Sequence, residues 1–280
     1  MSTTNTVTPQ TSQQLLDSYA REMILLAGKD SVGKSCAVVS IAAYVSLIWP
    51  DATFHVIDSE GKFGSAMRSF GSDAPGNIQY WPICDMNQAT LAARTIVGTC
   101  KPGDWLAIES IASIWERAQN LAYEAVTGVG KIEYLDMKLN TATPTGVVRK
   151  ASPIPKPDDF WAVAKGAYDA AFLDLVKSCS TLNIVLTTTV KPPPKPREGQ
   201  RDYDSKDRAI MRAELGIDLN IGGSPALPYY PETLCLLELA QGKVTCRVLR
   251  DNNSMRDNTR PVFAVPDRKS WAMAFWSECR

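Results

Sequence analysis

The stretch LLAGKDSVGKSCAVV, residues 25–39, matches the pattern GxxxxGK[ST] at every fixed position, from Gly28 to Ser35. An apolar run that reads as a strand precedes it, and an apolar run that reads as a helix follows. Glycines let the backbone curl so that successive N–H groups point inward at an anion, and the helix start adds partial positive charge. The stretch therefore predicts a phosphate-binding loop rather than a plain glycine turn.

This loop carries the first candidate ligand residues. Lys34 is placed to reach the β- and γ-phosphates of a nucleotide as a point charge, and the Ser35 hydroxyl to bind Mg²⁺. The predicted cofactors are therefore ATP and Mg²⁺. The other candidate nucleotide-binding residues of the loop are Gly28, Asp30, Ser31, Val32, Gly33 and Cys36.

Two predicted strands end in acids that could complete such a site. In VIDSEG, residues 56–61, Asp58 and Glu60 follow the strand after the loop helix. Carboxylates at the carboxyl ends of parallel strands face the same crevice, so Glu60 is predicted to accept a proton from water, the alternative being a solvated loop acid. In DWLAIES, residues 104–110, Glu109 ends an apolar strand and is predicted to hold Mg²⁺, although aspartate is usual there; Asp104 points to the other edge.

The composition narrows the class of protein. Thirty basic and thirty acidic residues cancel among 280, so no global field draws the chain to nucleic acid or anionic membrane. Seven scattered cysteines without a CxxC pair indicate reduced thiols. The single histidine, His55, argues against histidine-based metal sites and is expected to pack within a strand. With neither a signal peptide nor a membrane-spanning run, the chain reads as soluble and cytoplasmic.

Strand-like and helix-like segments alternate, which predicts an α/β fold with a three-layer, mainly parallel sheet. The expected organisation is a flexible tail over 1–20 and one core over 21–280, with an irregular insertion at about 127–159 and a mobile charged loop at about 191–223. Expected strands cover 22–27, 53–58, 78–83, 104–110 and 183–190, and 233–240 and 243–250 form a C-terminal hairpin. Expected helices cover 35–49, 87–98, 113–126 and 160–180.

Together these motifs resemble the RecA-type recombinase and ATPase core, over most of the chain. GKDSVGKS resembles that family's P-loop, with Asp30 as its acid, and VIDSEG resembles the motif whose catalytic glutamate falls on Glu60. LAIESIASIW resembles its Walker B strand, although Glu109 stands where the family usually has aspartate. IVLTTTVK lies where the family senses the γ-phosphate, so Thr188 or Thr189 would replace the usual glutamine or histidine.

The resemblance implies a RecA-like P-loop NTPase that forms a ring or filament with nucleotide between subunits. GGSPALPYYPETLCLLEL is similar to the family's segment that leaves the second DNA-binding loop. In the CRVLRDNN that follows, Arg250, with Arg247 as second candidate, would reach a neighbouring subunit's nucleotide and act in catalysis there. The alternative is that both are surface arginines on an edge hairpin.

The same resemblance places the second DNA-binding loop at Lys191 to Gly223. Basic residues with an aromatic among them could follow a single-stranded backbone and stack a base, although nearby acids almost cancel the charge and also fit a solvated loop. The expected function is a Mg²⁺-dependent ATPase acting on single-stranded DNA in recombination, annealing or repair, like the short bacteriophage RecA-like proteins, in host cytoplasm. The alternative is an ATP-driven protein machine or switch that does not bind DNA; a small-molecule kinase fits less well. The candidate DNA-binding residues are Lys191, Lys195, Arg197, Arg201, Tyr203, Lys206 and Arg208.

Overall fold

A nine-stranded mixed sheet forms the centre of the molecule in the computed structural model, which describes residues 21–134, 157–192, 217, 219–252, 261–267 and 269–279. The strand order is β3-β2-β4-β5-β1-β7-β8-β9, and β6 pairs with β5. The strands are β1 (Met23–Gly28), β2 (Phe54–Asp58), β3 (Ile78–Pro82), β4 (Trp105–Glu109), β5 (Asn183–Lys191), β6 (Asn220–Ile221), β7 (Thr233–Ala240), β8 (Lys243–Asp251) and β9 (Val262–Val265).

The first six strands in that order are parallel, β8 runs antiparallel to β7, and β9 runs antiparallel to β8. The helices are α1 (Lys34–Ile48), α2 (Phe63–Phe70), α3 (Met86–Thr99), α4 (Ile111–Thr127), α5 (Pro157–Lys165), α6 (Asp174–Ser178) and α7 (Trp271–Cys279). A π-helical segment, Gly166–Leu173, joins α5 to α6. The predicted α/β class and mainly parallel sheet are confirmed.

Helices cover both faces of the sheet, which explains the continuous apolar character of the central strands. Met23 and Leu25 of β1 pack with residues of α3, α4 and the Pro157–Ser178 helical run. Ile24 and Leu26, which alternate with them, pack with residues of α1, α2 and α7. This arrangement is compatible with the predicted three layers, and His55 lies buried in β2 as expected, with a pKa lowered by burial.

The parallel strands place the functional loops at one edge of the sheet. Gly28 at the end of β1 lies beside Thr189 of β5, and Asp58 at the end of β2 lies beside Glu109 of β4. Because the strands run in the same direction, the segments that follow β1, β2 and β4 all emerge at this carboxyl edge.

The C-terminal hairpin is confirmed, since β7 and β8 pair antiparallel around Gln241 and Gly242. It does not end the fold, however, because β9 extends the sheet and α7 packs beneath it; neither was predicted, nor was α2. The tail 1–20, residues 135–156 of the insertion and 193–216 of the charged loop lie outside the described residues. None of the helices in the described ranges is long and apolar enough to cross a membrane.

Candidate functional site

The loop between β1 and α1 has a geometry that requires glycine. A Cβ at Gly28 would lie 2.7 Å from Val32 Cγ1 and 2.9 Å from the Leu237 carbonyl oxygen, so only glycine lets the loop approach β7 this closely. Ser31 and Gly33 adopt the left-handed region, with φ of 63° and 103°. Gly33 also offers no side-chain cap to α1, which leaves the first-turn N–H groups of the helix for an anion.

Lys34 spans the mouth of this loop. Its ammonium donates hydrogen bonds to the carbonyl oxygens of Gly28, at 3.0 Å, and Lys29, at 2.8 Å. The side chain is buried, and this burial lowers the pKa of Lys34 against the opposing effect of Glu109, Asp30 and Glu60. The predicted phosphate-binding lysine is therefore anchored at the centre of the loop.

Ser35, in the first turn of α1, and Glu109, at the end of β4, are joined by a hydrogen bond. The Ser35 hydroxyl donates to Glu109 Oε1 at 2.8 Å, while Glu109 Oε2 is buried without a hydrogen-bond partner among the described residues. Burial raises the pKa of Glu109 to about 7, against the opposing effect of the Ser35 and Thr187 hydroxyls and of Lys34. A strand-end carboxylate with one open oxygen beside a P-loop hydroxyl is a donor set that suits Mg²⁺.

This cation site would be poor in protein ligands. Within the described ranges, no group of three or more His, Cys, Asp or Glu side chains is placed to hold a metal ion. Mg²⁺ usually takes one or two protein oxygens and completes its shell with water and substrate phosphates. The pair Ser35 and Glu109 therefore fits Mg²⁺ bound together with a phosphorylated ligand, and not a dedicated metal cage.

Asp58 builds the turn that presents Glu60. Its Oδ1 accepts the backbone N–H groups of Glu60 and Gly61, both at 2.9 Å. Its Oδ2 accepts the N–H of Phe63 at 3.0 Å and the Tyr80 hydroxyl at 2.9 Å. With both oxygens occupied, Asp58 shapes the turn and is not available as a ligand or a base.

Glu60 projects from this turn into the pocket. Oε1 accepts the Ser113 hydroxyl and Oε2 accepts the Lys62 ammonium, each at 2.8 Å. Burial favours the protonated acid, but the hydrogen bonds from Lys62 and Ser113 and the charges of Lys62 and Lys34 outweigh it and lower the pKa of Glu60. Glu60 is therefore ionised and fixed in position, two conditions for a group that accepts a proton from water.

Arg117 of α4 fixes the same turn from outside the pocket. Its Nη2 donates to the Ser59 carbonyl oxygen at 2.6 Å, and its Nη1 donates to that of Cys84. The Ser59 hydroxyl in turn donates to the Glu109 carbonyl oxygen at 3.1 Å. The turn after β2 and the end of β4 are therefore tied together, so Glu60 and Glu109 keep their relative position.

Lys34, Ser35, Glu60 and Glu109 line one pocket of about 1020 Å³. It is polar where the P-loop lies and apolar where the hairpin and β9 form its wall. Its volume is sufficient for a nucleotide. Among its lining residues are the predicted Asp30, Ser31, Val32, Gly33, Lys34, Ser35, Cys36, Glu60, Glu109 and Thr189, together with Lys62, Leu237, Leu239, Val244, Val265 and Pro266.

The structure distinguishes the two candidate threonines of β5. Thr189 lines the pocket beside Gly28. Thr188 is fully buried, and its hydroxyl donates to the Gly222 carbonyl oxygen at 2.8 Å. Of the two, Thr189 has the position that contact with a ligand needs.

Arg250 lies apart from this pocket in its own chain. It pairs with Leu234 near the start of β7, at the amino edge of the parallel strands. Its Nη2 donates to the carbonyl oxygens of Pro228 and Pro231, both at 2.6 Å. The second candidate, Arg247, forms an ion pair with Glu238 at 3.1 Å. Action of Arg250 across a subunit interface stays a prediction.

Most of the candidate DNA-binding residues lie outside the residues that the structure describes. Lys191 is the exposed last residue of β5 and pairs with Asn220. The other six, Lys195, Arg197, Arg201, Tyr203, Lys206 and Arg208, lie outside the described residues.

The sequence reasoning missed Lys62 and Ser113, the two groups that hold Glu60, and the wall formed by the hairpin and β9. A signal for Lys62 was present, because opposite charges separated by one glycine, as in Glu60-Gly61-Lys62, can meet across a tight turn. Ser113 lies in the first turn of α4, directly after the strand that ends in Glu109. Its contact depends on how the two loops approach each other, which the sequence alone does not contain.

Comparison with protein-family models found no match, and a search of curated proteins also found none.

Proposed function

We propose that this protein binds ATP together with Mg²⁺ and hydrolyses it. The observation that carries the proposal is the convergence of Lys34, the hydrogen-bonded pair Ser35 and Glu109, and the held carboxylate of Glu60 on one pocket. Each group has the charge and the hydrogen-bonding capacity that its part in phosphoryl transfer needs. Mg²⁺, when bound, neutralises charge on the phosphate oxygens.

The residues of the chain divide the remaining work. Lys34 and the N–H groups of the loop hold the phosphates, and Ser35 and Glu109 supply the protein oxygens for the metal. Glu60 accepts the proton of the attacking water, whose oxygen forms a bond to the γ-phosphorus while the bond to the β-phosphate oxygen breaks. ADP and phosphate leave, and Glu60 returns its proton to solvent.

We further propose that the protein is a RecA-like ATPase that acts on single-stranded DNA in phage-type recombination, annealing or repair, as a homo-oligomer. The resemblance of the motifs supports this, as does the position of Lys191, two residues beyond Thr189 in the pocket wall. The charged segment that follows in the sequence therefore begins two residues after a residue of the pocket wall, and we propose that it responds to the bound nucleotide.

The second candidate is an ATP-driven protein machine or switch that does not bind DNA. Two features of the sequence favour it: a formal net charge of zero, and acids that nearly cancel the basic residues of the 191–223 loop. Proteins that bind single strands usually present a basic groove.

Phosphate release from Mg²⁺ and ATP, with and without single-stranded DNA, tests both candidates. We expect turnover by the wild type and a fall of about 100-fold or more in Lys34→Ala, which loses the charge on the phosphates. Glu60→Gln should bind ATP but lose about 100-fold or more in turnover, because the amide cannot accept the proton. Stimulation by DNA that weakens with salt supports the DNA-dependent ATPase; Lys34-dependent turnover indifferent to DNA supports the protein machine.

Absence of Lys34-dependent nucleotide binding would refute the ATPase proposal altogether. Transfer of radiolabelled phosphate to a small metabolite in place of water would point to a kinase.

A further inference from the structure

Lys62 is a second lysine in the pocket wall, and the one role assigned to it so far is to hold Glu60. Its ammonium lies 2.8 Å from Glu60 Oε2, and the two side chains differ sharply in exposure, with 70% of Lys62 and 25% of Glu60 accessible. Its backbone is fixed, because Lys62 directly precedes α2 and follows Gly61, whose N–H is held by Asp58. Only the long, exposed side chain is therefore free to move.

The charges around Lys62 are those of the phosphate site. Glu60, Asp30 and Glu109 all raise the pKa of Lys62, and the largest cause is the hydrogen bond that its ammonium donates to Glu60. Lys34 and Lys62 both line the space above the loop, and the charge of Lys62 adds to the lowering of the pKa of Lys34, of which burial is the largest cause. Lys62 therefore approaches that space from the β2 turn, while Lys34 approaches it from α1.

We propose that Lys62 is a second phosphate-binding lysine, which leaves Glu60 for the terminal phosphate when a nucleoside triphosphate enters. This inference rests on the proposed function. An exposed ion pair between lysine and a carboxylate contributes little, whereas a phosphate offers more charge and several acceptor oxygens. A terminal phosphate therefore outcompetes Glu60 for the ammonium. The β-phosphate of a diphosphate, bound deeper at the loop, does not.

This exchange makes the base dependent on the substrate. While Lys62 is bound to Glu60, one carboxylate oxygen is occupied and its basicity is reduced. When Lys62 moves, the Ser113 hydroxyl still holds Oε1 at 2.8 Å, so Glu60 keeps its place with Oε2 free for water. The same lysine then neutralises charge on the phosphoryl group under attack.

Acylation of lysine amines, followed site by site by mass spectrometry, tests the movement in the wild-type protein. The three samples contain Mg²⁺ alone, Mg²⁺ with ADP, or Mg²⁺ with a non-hydrolysable ATP analogue. The acylation rate of Lys62 should fall about fivefold with the triphosphate analogue and less than about twofold with ADP, because only a terminal phosphate holds the amine. Lys269, which forms an exposed ion pair with Asp73 and does not line the pocket, is the internal control and should not change.

Three variants separate binding from structure. Lys62→Gln should lower kcat for phosphate release about tenfold and weaken the triphosphate analogue more than ADP, whereas Lys62→Arg should keep most of both. Lys269→Gln, the matched removal of a paired surface charge, should behave as wild type.

Equal protection of Lys62 by ADP and the triphosphate analogue overturns the inference, as does a Lys62→Gln variant with wild-type turnover. In either case Lys34-dependent hydrolysis by the wild type leaves the proposed function standing. A wild type that binds neither nucleotide overturns both.

Discussion

The two ends of β4 carry buried carboxylates with opposite surroundings. Asp104, just before the strand, is 4% exposed, and each of its oxygens accepts a backbone N–H at 2.8 Å, from Thr53 and from Lys101. Glu109, at the other end, is 5% exposed, with one oxygen on the Ser35 hydroxyl and the other without a partner among the described residues. A buried acid with both oxygens bound to backbone supports the fold, whereas a buried oxygen without a partner, on a residue that lines a pocket, is a candidate to bind a ligand.

The same contrast extends along the two edges of the sheet. At the amino edge, Arg21 donates to the carbonyl oxygens of Lys177 and Cys179, at 2.7 and 2.8 Å, and Arg250 donates to those of Pro228 and Pro231. At the carboxyl edge, Lys34 and Glu60 carry charges that face a pocket. The cations of one edge brace the chain, and the charged groups of the other edge are arranged around a space.

Removing one charge from each end of β4 should produce effects of opposite sign. Glu109→Gln should raise the free energy of unfolding at pH 8 by about 1–3 kcal/mol, because a buried carboxylate becomes neutral, and should abolish Mg²⁺-dependent ATP binding. Asp104→Asn should lower it by about 1–3 kcal/mol, because an amide N–H₂ would face a backbone N–H, and should leave ATP affinity unchanged. Urea denaturation and calorimetric titration measure the two quantities, and changes of the same sign would break the comparison.

The titration of Glu109 should be visible in the pH dependence of wild-type stability and ATP binding. The pKa of Glu109 is about 7 in the folded chain against an ordinary value of 4.5, so the folded chain holds the proton more tightly. Its contribution to the free energy of unfolding is therefore fully present below pH 4.5 and is lost as the pH rises through about 7. Mg²⁺-dependent ATP binding should change in the opposite direction and strengthen over that range, because the metal needs the carboxylate.

The matched control for pH is Glu109→Gln, which keeps Lys34, Ser35 and Asp58, the groups that face this side chain. The pH dependence of the free energy of unfolding should be reduced in this variant, which is the quantity to compare because the variant is expected to lose Mg²⁺-dependent ATP binding. A group of this kind titrates across roughly pH 5.5 to 8. A wild-type ATP affinity that does not change across this range would contradict the assignment of Glu109 as a ligand of Mg²⁺.

Arg250 should give the smallest effect. Arg250→Ala removes hydrogen bonds to Pro228 and Pro231 and should cost about 1 kcal/mol of stability, without a change in ATP affinity of the isolated subunit. Arg247→Ala, which loses a surface pair with Glu238, is the matched control. If Arg250 also serves a neighbouring subunit, mixtures with wild type should lose more turnover than the mutant fraction alone explains; a strictly proportional loss would leave Arg250 as a brace only.

Much of the carboxyl edge could be predicted because it follows from pattern and direction. GxxxxGK[ST] fixes a loop geometry, and parallel strands bring their ends together, so the positions of Lys34, Ser35, Glu60 and Glu109 followed from the sequence. The β7–β8 hairpin could also be predicted, since two runs of alternating apolar and polar residues flank Gly242.

The rest depended on contacts between distant segments. The role of Asp58 was not visible, because an acid at a strand end reads equally as a ligand or as an acceptor for its own turn. The short strand β9 has only four residues, and the apolar face of α7 becomes meaningful only against the sheet. Lys62 and Ser113 meet at Glu60 only after the β2 turn and α4 have been placed.

Most of the hydrogen bonds to the Asp58 side chain come from the turn that it shapes, which has a use in protein engineering. Three of the four donors to Asp58 come from the segment that it closes, Glu60, Gly61 and Phe63, and only the Tyr80 hydroxyl comes from the neighbouring strand. Residues 54–63 should therefore re-form the same turn when grafted between parallel strands, provided that the neighbours replace the Tyr80 hydroxyl, the Arg117 donor to Ser59 and the Glu109 carbonyl oxygen that accepts from Ser59. A carboxylate and a lysine could in this way be transplanted as one cassette into a scaffold that has neither.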